Sequence, residues 1–247
     1  MQRMAGDRGL AEDGFGNGAH RRRRQARYLA LPAGAPLLGA CGGPLSMLDP
    51  AGPSAAAIAQ VGVWMLGVAL LVGIAVTAAW LWAMHARVAP GRERRWLVGG
   101  GLLLPGAAIG ALLVFGASAG RHQWPWPGEA PGLVVEVTAR QWSWQVRYPG
   151  HQIVLHDELR LPAGRPVHVH TRSDDVIHSF WVPRLGGKLD AIPGRTLVLR
   201  LQADAPGRYL GQCAEFCGAG HARMPLVVIA LPPDEFDAWL VAERPVP

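Results

Sequence analysis

Charged side chains are spread unevenly along this chain. Residues 50–86 contain no Asp, Glu, Lys or Arg, and residues 96–120 contain none either. Between Ile58 and Met84 the only polar side chains are Gln60 and Thr77. At the α-helical rise this segment is about 40 Å long, enough to cross a bilayer core with tilt. Trp80 and Trp82 fall near its end, where interfacial aromatics belong. A second spanning helix is predicted over Trp96–Ala119, with Pro105 inside it, a residue membrane helices tolerate better than soluble ones.

Beyond residue 120 the pattern changes to short apolar runs bounded by Pro and Gly. Strands are predicted at Leu133–Val137, Trp142–Tyr148, Ile153–Leu155, Val167–Thr171, Ser179–Val182, Thr196–Leu201, Arg208–Leu210 and Leu226–Leu231. Val167–Thr171 and Thr196–Leu201 alternate at period two, and closely spaced strands of this kind indicate a β-sandwich or barrel. Pro232–Leu240 reads as a short closing helix with acids in its first turn. The predicted fold class is a membrane α-helical hairpin of two transmembrane helices carrying an all-β head.

The net charge of +6 over 247 residues does not belong to the head. Residues 121–247 hold thirteen basic and thirteen acidic groups, so the excess lies in the preceding segments. A nucleic-acid-binding domain carries its excess on its own face, so nucleic acid is excluded as a partner. The segment between the predicted spans, residues 85–95, contains four Arg and one Glu, which makes it cytoplasmic by the positive-inside rule. Both flanks are then outside, as a multi-pass protein with an exported head requires. Arg21–Arg24 followed by the apolar run Tyr28–Ala40 has the layout of a secretory signal, too short to span a membrane. It ends in Leu38-Gly39-Ala40-Cys41, which resembles a lipoprotein cleavage box with Cys41 as the lipidated residue and membrane lipid as its partner. The predicted organisation is a lipoprotein-type signal peptide at 1–40, an extracytoplasmic linker at 41–57 and a transmembrane helix at 58–84. A cytoplasmic loop at 85–95, a transmembrane helix at 96–119 and an extracytoplasmic head at 120–247 complete it.

Three cysteines occur, and Cys213 and Cys217 stand apart from Cys41 in a segment running Gly211-Gln-Cys-Ala-Glu-Phe-Cys-Gly-Ala-Gly-His-Ala-Arg-Met-Pro225. Cys213, Cys217 and His221 are spaced by four residues and Met224 follows three later. Thiolate, imidazole and thioether form a soft donor set suited to copper. A zinc site with a second His, or a Cys213–Cys217 disulfide, also fits the spacing. His168 and His170 alternate along one strand and read as surface-facing residues. His178, after the polar pair Asp174-Asp175, leads into an aromatic strand.

The stretches Asp175–Pro183, Asp190-Ala-Ile-Pro-Gly-Arg195 and Gly211–Pro225, with the aromatic cluster Gln141-Trp-Ser-Trp144, closely resemble subunit II of bacterial and mitochondrial cytochrome c oxidases. The resemblance covers roughly residues 45–240. It implies a cupredoxin-like head holding two copper ions as a dinuclear copper A centre, in the bacterial inner membrane with the head on the periplasmic face. Cys213 and Cys217 would bridge the ions, His178 and His221 would each cap one, and Met224 and the Glu215 carbonyl would be weak axial ligands. The Glu215 carboxylate matches a magnesium ligand at the subunit I interface. Trp142 matches the surface tryptophan where electrons arrive from cytochrome c, and Asp174 and Asp175 match an acidic docking patch for a cationic donor. The implied partners are subunit I and other oxidase subunits, cytochrome c and lipid. The implied activity is that of a cytochrome c oxidase subunit, an oxidoreductase and translocase component that does not reduce oxygen by itself.

Two positions depart from the family pattern. Ser143 stands where many members have an aromatic residue. Val98 stands where many have a Glu at the mouth of a proton channel, and Glu93 lies further out in the loop. No Cys-x-x-Cys-His occurs, so no c-type haem attachment site accompanies the head. The rival readings are a quinol-oxidase subunit II, which typically lacks the copper ligands present here, and a membrane-anchored copper or zinc binding protein without a redox partner.

Overall fold

The computed structural model describes residues 42–85, 91, 93–126, 128 and 132–243. Cys41, the signal-like residues 1–40 and most of the Arg-rich loop lie outside these. Helix α1 runs Pro53–His85, and α2 runs Glu93–Gly120 with a π-helical turn at Gly99–Leu103. Both are long and apolar enough to cross a membrane, and both begin earlier than the apolar pattern alone places them. The π turn has a local cause. The Leu104 N–H reaches back five residues to the Gly99 carbonyl, three successive glycines allow the widened turn, and Pro105 brings no N–H of its own.

Among the described residues the head has ten strands in the order β1 Val134–Arg140, β2 Ser143–Tyr148, β3 Ile153–His156, β4 Glu158–Pro162, β5 Val167–Ser173, β6 His178–Phe180, β7 Leu189–Ala191, β8 Leu197–Leu201, β9 Gly207–Gln212 and β10 Pro225–Leu231, followed by helix α3 at Pro233–Ala242. One sheet is ordered β3-β2-β1-β5-β8 and a second β4-β10-β9, while β6 and β7 form a separate two-stranded ribbon. β1 pairs parallel with β5 and β10 parallel with β4, while the other pairings are antiparallel. This mixed arrangement is the expected cupredoxin-like sandwich. The sequence reading places no strand at β4 or β7. β4 alternates, with Leu159 and Leu161 buried and Glu158 and Arg160 half-buried, but over only five residues ending in Pro162, and β7 has only three, too few for a period to show.

The alternation read from sequence becomes the core. Val135, Val137, Val167, Val169, Leu199 and Leu201 from one sheet meet Leu159, Leu161, Leu226 and Val228 from the other, all buried. Asp157, with φ of 55°, turns the chain from the first sheet to the second. Its carboxylate accepts the Trp144 N–H at 2.7 Å and its own N–H donates to the Trp144 carbonyl at 2.8 Å. Trp144 and Tyr148 on β2 are completely buried, and the Tyr148 hydroxyl both accepts the Arg160 N–H and donates to the Arg160 carbonyl. Burial pushes the Tyr148 hydroxyl above its ordinary pKa, so it stays a donor. His168 corrects the surface reading: it lies on the outer face of β5 yet is 5% exposed, while His170 is half-buried.

Both helix ends meet the head on one side. The Ala51 N–H donates to the Arg184 carbonyl, the Asp204 N–H to the Ala51 carbonyl and the Arg200 N–H to the Gln123 carbonyl. Arg184 also pairs with Asp49 at 2.9 Å. At Gly52 the backbone passes so near the Gln202 carbonyl that a Cβ would lie 2.2 Å from its oxygen. The chain therefore enters α1 and leaves α2 against the same edge of the sandwich.

Candidate metal centre

The segment from β9 to β10 crosses the end of the sandwich as a loop, because its glycines and the short 3₁₀ turn His221–Arg223 interrupt the strands. Two backbone bonds fix the loop's base: Cys213 N–H to the Met224 carbonyl and Ala214 N–H to the Ser179 carbonyl. They bring the loop against β6, where His178 is fully buried. Five soft donor atoms converge there. The Cys213 sulfur stands 3.8 Å from the Cys217 sulfur and 3.9 Å from His178 Nδ1. The Cys217 sulfur stands 3.7 Å from His221 Nδ1 and 4.0 Å from Met224 Sδ. The Glu215 carbonyl oxygen lies 3.3 Å from the Cys213 sulfur.

Both thiols are free and buried, and Met224 has no exposed surface. Their spacing suits metal binding: bonds of about 2.3 Å to a shared ion at a tetrahedral angle separate two sulfurs by nearly the distance seen here. Burial, with the neighbouring Cys213 sulfur, pushes the Cys217 thiol up to about 11. Without a cation the Cys217 sulfur therefore favours its proton, and a bound metal ion must displace it.

Asp175 sets the orientation of His178. Its carboxylate accepts from His178 Nε2 at 2.8 Å, from the Gln141 N–H at 2.7 Å and from the Val176 N–H at 2.6 Å. Burial alone would raise its pKa, but these donors outweigh it and hold the carboxyl down to about 2. The ionised form thus supports the folded head above the ordinary carboxylate range, a contribution lost as pH falls toward 2. With Nε2 occupied, Nδ1 faces the sulfurs. The Trp144 ring meets the imidazole edge-on at 6.2 Å and Phe180 meets Trp144 at 6.1 Å, so the core continues into the site.

Trp142 lies on the opposite side of the loop, 40% exposed, and its indole N–H donates to the Cys217 carbonyl at 3.2 Å. Gln141 Nε2 donates to the same carbonyl at 2.8 Å. The remaining acids are paired. Asp174 is bound by Arg140 at 2.7 Å and Arg172 at 3.4 Å, and Glu215 faces Lys188 at 3.5 Å. The structure thus gathers His178, Cys213, Cys217, His221, Met224 and the Glu215 carbonyl, seats Trp142 beside them, and leaves neither Asp174 nor Asp175 as an unpaired carboxylate. Gln141, Trp144 and Lys188 also belong to the site. Of the added contacts, only the three-residue spacing of Asp175 and His178 is visible in sequence.

Residues 151–231 match the family described as "Cytochrome C oxidase subunit II, periplasmic domain". The chain is 44% identical over 108 residues to cytochrome c oxidase subunit 2 of Alkalihalophilus pseudofirmus, a match covering 44% of this chain and 32% of that protein. It is 44% identical over 115 residues to the Synechocystis sp. protein of the same name, covering 47% and 34%. The matched region therefore spans about a third of the length of these relatives. Among solved structures, the periplasmic domain of subunit II of cytochrome oxidase from Bradyrhizobium japonicum is 30% identical, with a TM-score of 0.44, covering 47% of this chain and 95% of that one. The family match thus takes in β6, β9 and the whole donor loop, and the head is similar to cytochrome c oxidase subunit 2 proteins at 44% identity.

Proposed function

We propose that this chain is the electron-accepting subunit of a respiratory cytochrome c oxidase in a bacterial inner membrane, its head on the periplasmic face. Electrons from cytochrome c would be taken up at a dinuclear copper centre and passed to the haem–copper site of subunit I, where oxygen reduction is coupled to proton pumping. The observation that carries this reading is the convergence of two free, buried thiols with His178, His221 and Met224. When bound, two coppers sharing both thiolates would hold one electron in common, which keeps the structural change on reduction small.

The chain's own residues prepare that site. Cys213 and Cys217 would hold the copper as thiolates, and His178 and His221 each present Nδ1 to one sulfur. Met224, Trp144 and Phe180 exclude water from one side. Trp142 joins the surface to the Cys217 carbonyl through one hydrogen bond, a short route inward. Glu215 offers its carbonyl to the site. Its carboxylate would take up the magnesium implied by the family resemblance only by releasing Lys188.

The full chain, purified in detergent and reconstituted with copper, is expected to hold two coppers and to show an EPR signal from one electron shared between them. A single zinc, with no such signal, would replace this reading by that of a membrane-anchored zinc protein.

Asp175 acts in this reading as a positioning residue. Asp175→Ala is expected to weaken copper affinity about 10–100-fold, the usual effect of losing a group that orients a ligating imidazole. Asp175→Asn keeps an oxygen toward His178 and should lose much less. Competition with a chelator measures both, and equal affinity for Asp175→Ala and the wild type would remove the role.

A further inference from the structure

The surface over the metal centre is built by three adjoining segments: the turn at Arg140–Trp142, the turn at Asp174–Ile177 and the loop from Ala214 to Arg223. They are tied together by the Gln141 N–H to Asp175 and the Trp142 indole to Cys217. Their outward side chains are mostly apolar. Phe216 is 76% exposed, Ile177 45% and Val176 39%, beside Trp142. Large apolar side chains gathered on an exposed surface mark a contact face rather than a solvated one.

The charges around this platform do not favour a cationic partner. Asp175 is turned inward to His178, and Asp174 is held between Arg140 and Arg172. The two guanidinium side chains are the more exposed members of that cluster, 68% and 54% against 28% for Asp174. Glu215 is paired with Lys188, and Arg223 is exposed with no acidic partner among the described residues. Cations therefore form the outer rim and carboxylates its inner members.

We infer that the donor docking on this face is a small redox protein whose own exposed redox edge is apolar and rimmed by carboxylates, and that apolar contact rather than attraction to Asp174 and Asp175 holds it. The inference rests on the proposed electron-accepting role, whose donor it specifies by chemistry. Apolar contact sets how long the complex lasts, while the arginine rim steers an acidic partner and repels a basic one.

The test uses the full copper-loaded chain in detergent, with one c-type cytochrome of acidic isoelectric point and one of basic isoelectric point as probes. Binding is measured by calorimetry between about 0.01 and 0.15 M salt, where the screening length shrinks from roughly 30 to 8 Å. The acidic cytochrome is expected to bind at least about tenfold more tightly and to keep most of its affinity at the higher salt, as an apolar contact does. The double variant Phe216→Ser, Ile177→Ser removes two of the exposed apolar side chains, and should weaken that binding about tenfold. Arg223→Glu should narrow the preference between the two cytochromes. Tighter binding of the basic cytochrome with steep salt dependence overturns the inference, as does a double variant that binds like the wild type. Copper content is read on the same samples. Two coppers with preference for the basic cytochrome reject the donor chemistry alone, whereas acidic preference in a chain that takes no copper rejects the electron-accepting role alone.

Discussion

Cys213→Ser is expected to abolish the dinuclear centre while leaving the head folded. The Cys213 sulfur faces Cys217, His178 and the Glu215 carbonyl at once. A serine oxygen is close in size, so packing at this 2%-exposed position changes little. It is, however, a hard donor that keeps its proton at neutral pH, and soft metals select thiolate over it. Copper affinity should fall by more than about 100-fold, beyond the effect of losing a group that only orients a ligand. The shared-electron EPR signal should disappear, with circular dichroism unchanged. Met224→Leu provides the contrast. It conserves volume, for which the stability cost is usually below about 1.5 kcal/mol, and it removes one donor 4.0 Å from Cys217. Both coppers should remain with a shifted potential. A Cys213→Ser protein that still holds two coppers would mean the sulfurs do not bridge.

Gly220→Ala is expected to unseat Trp142. A Cβ at residue 220 would lie 2.2 Å from Trp142 Cδ2, 2.5 Å from Cγ and 2.6 Å from Cε3. Ordinary carbon contacts begin near 3.5 Å, so the indole has to leave its place over the loop and its N–H loses the Cys217 carbonyl. The backbone is not the obstacle, because Gly220 has φ of −90°, open to any residue. Overpacking of this kind costs about 1–3 kcal/mol when it cannot relax, and an indole at the surface relaxes by swinging outward. With fluorotryptophan incorporated, the Trp142 resonance, identified by its loss in Trp142→Phe, should move to a solvent-exposed position in Gly220→Ala. The other tryptophans should stay where they are. Reduction of the copper centre within a bound donor complex should slow at the same time. An unmoved Trp142 resonance would show that the loop gives way and the ring does not.

The apolar stretches at 58–84 and 96–119 announce two helices by themselves, because a helix satisfies its own backbone and needs only length and composition to declare itself. The helix ends are less legible: α1 starts at Pro53 and α2 at Glu93, and just before α1 the backbone of Ala51 is held by the head. Strands with clean alternation, such as Val167–Ser173, are readable in the same way. β4 and β7 are not: β4 alternates over only five residues and β7 has three, and each is a strand because it partners β10 or β6. The loop from Gly211 to Pro225 names Cys213, Cys217, His221 and Met224 because these donors are neighbours in sequence, whereas His178, thirty-five residues from Cys213, comes only through resemblance. The spacing of Asp175 and His178 is visible in sequence, but tertiary structure alone decides that Asp174 is shared between two arginines. The seat of Trp142 on Gly220 and the pairing of Lys188 with Glu215 are settled there too. The dividing line is physical. A donor set within one loop, or a period within one element, is written in adjacent residues, but which charge is neutralised and which ring covers a site depends on side chains that folding brings together from distant strands.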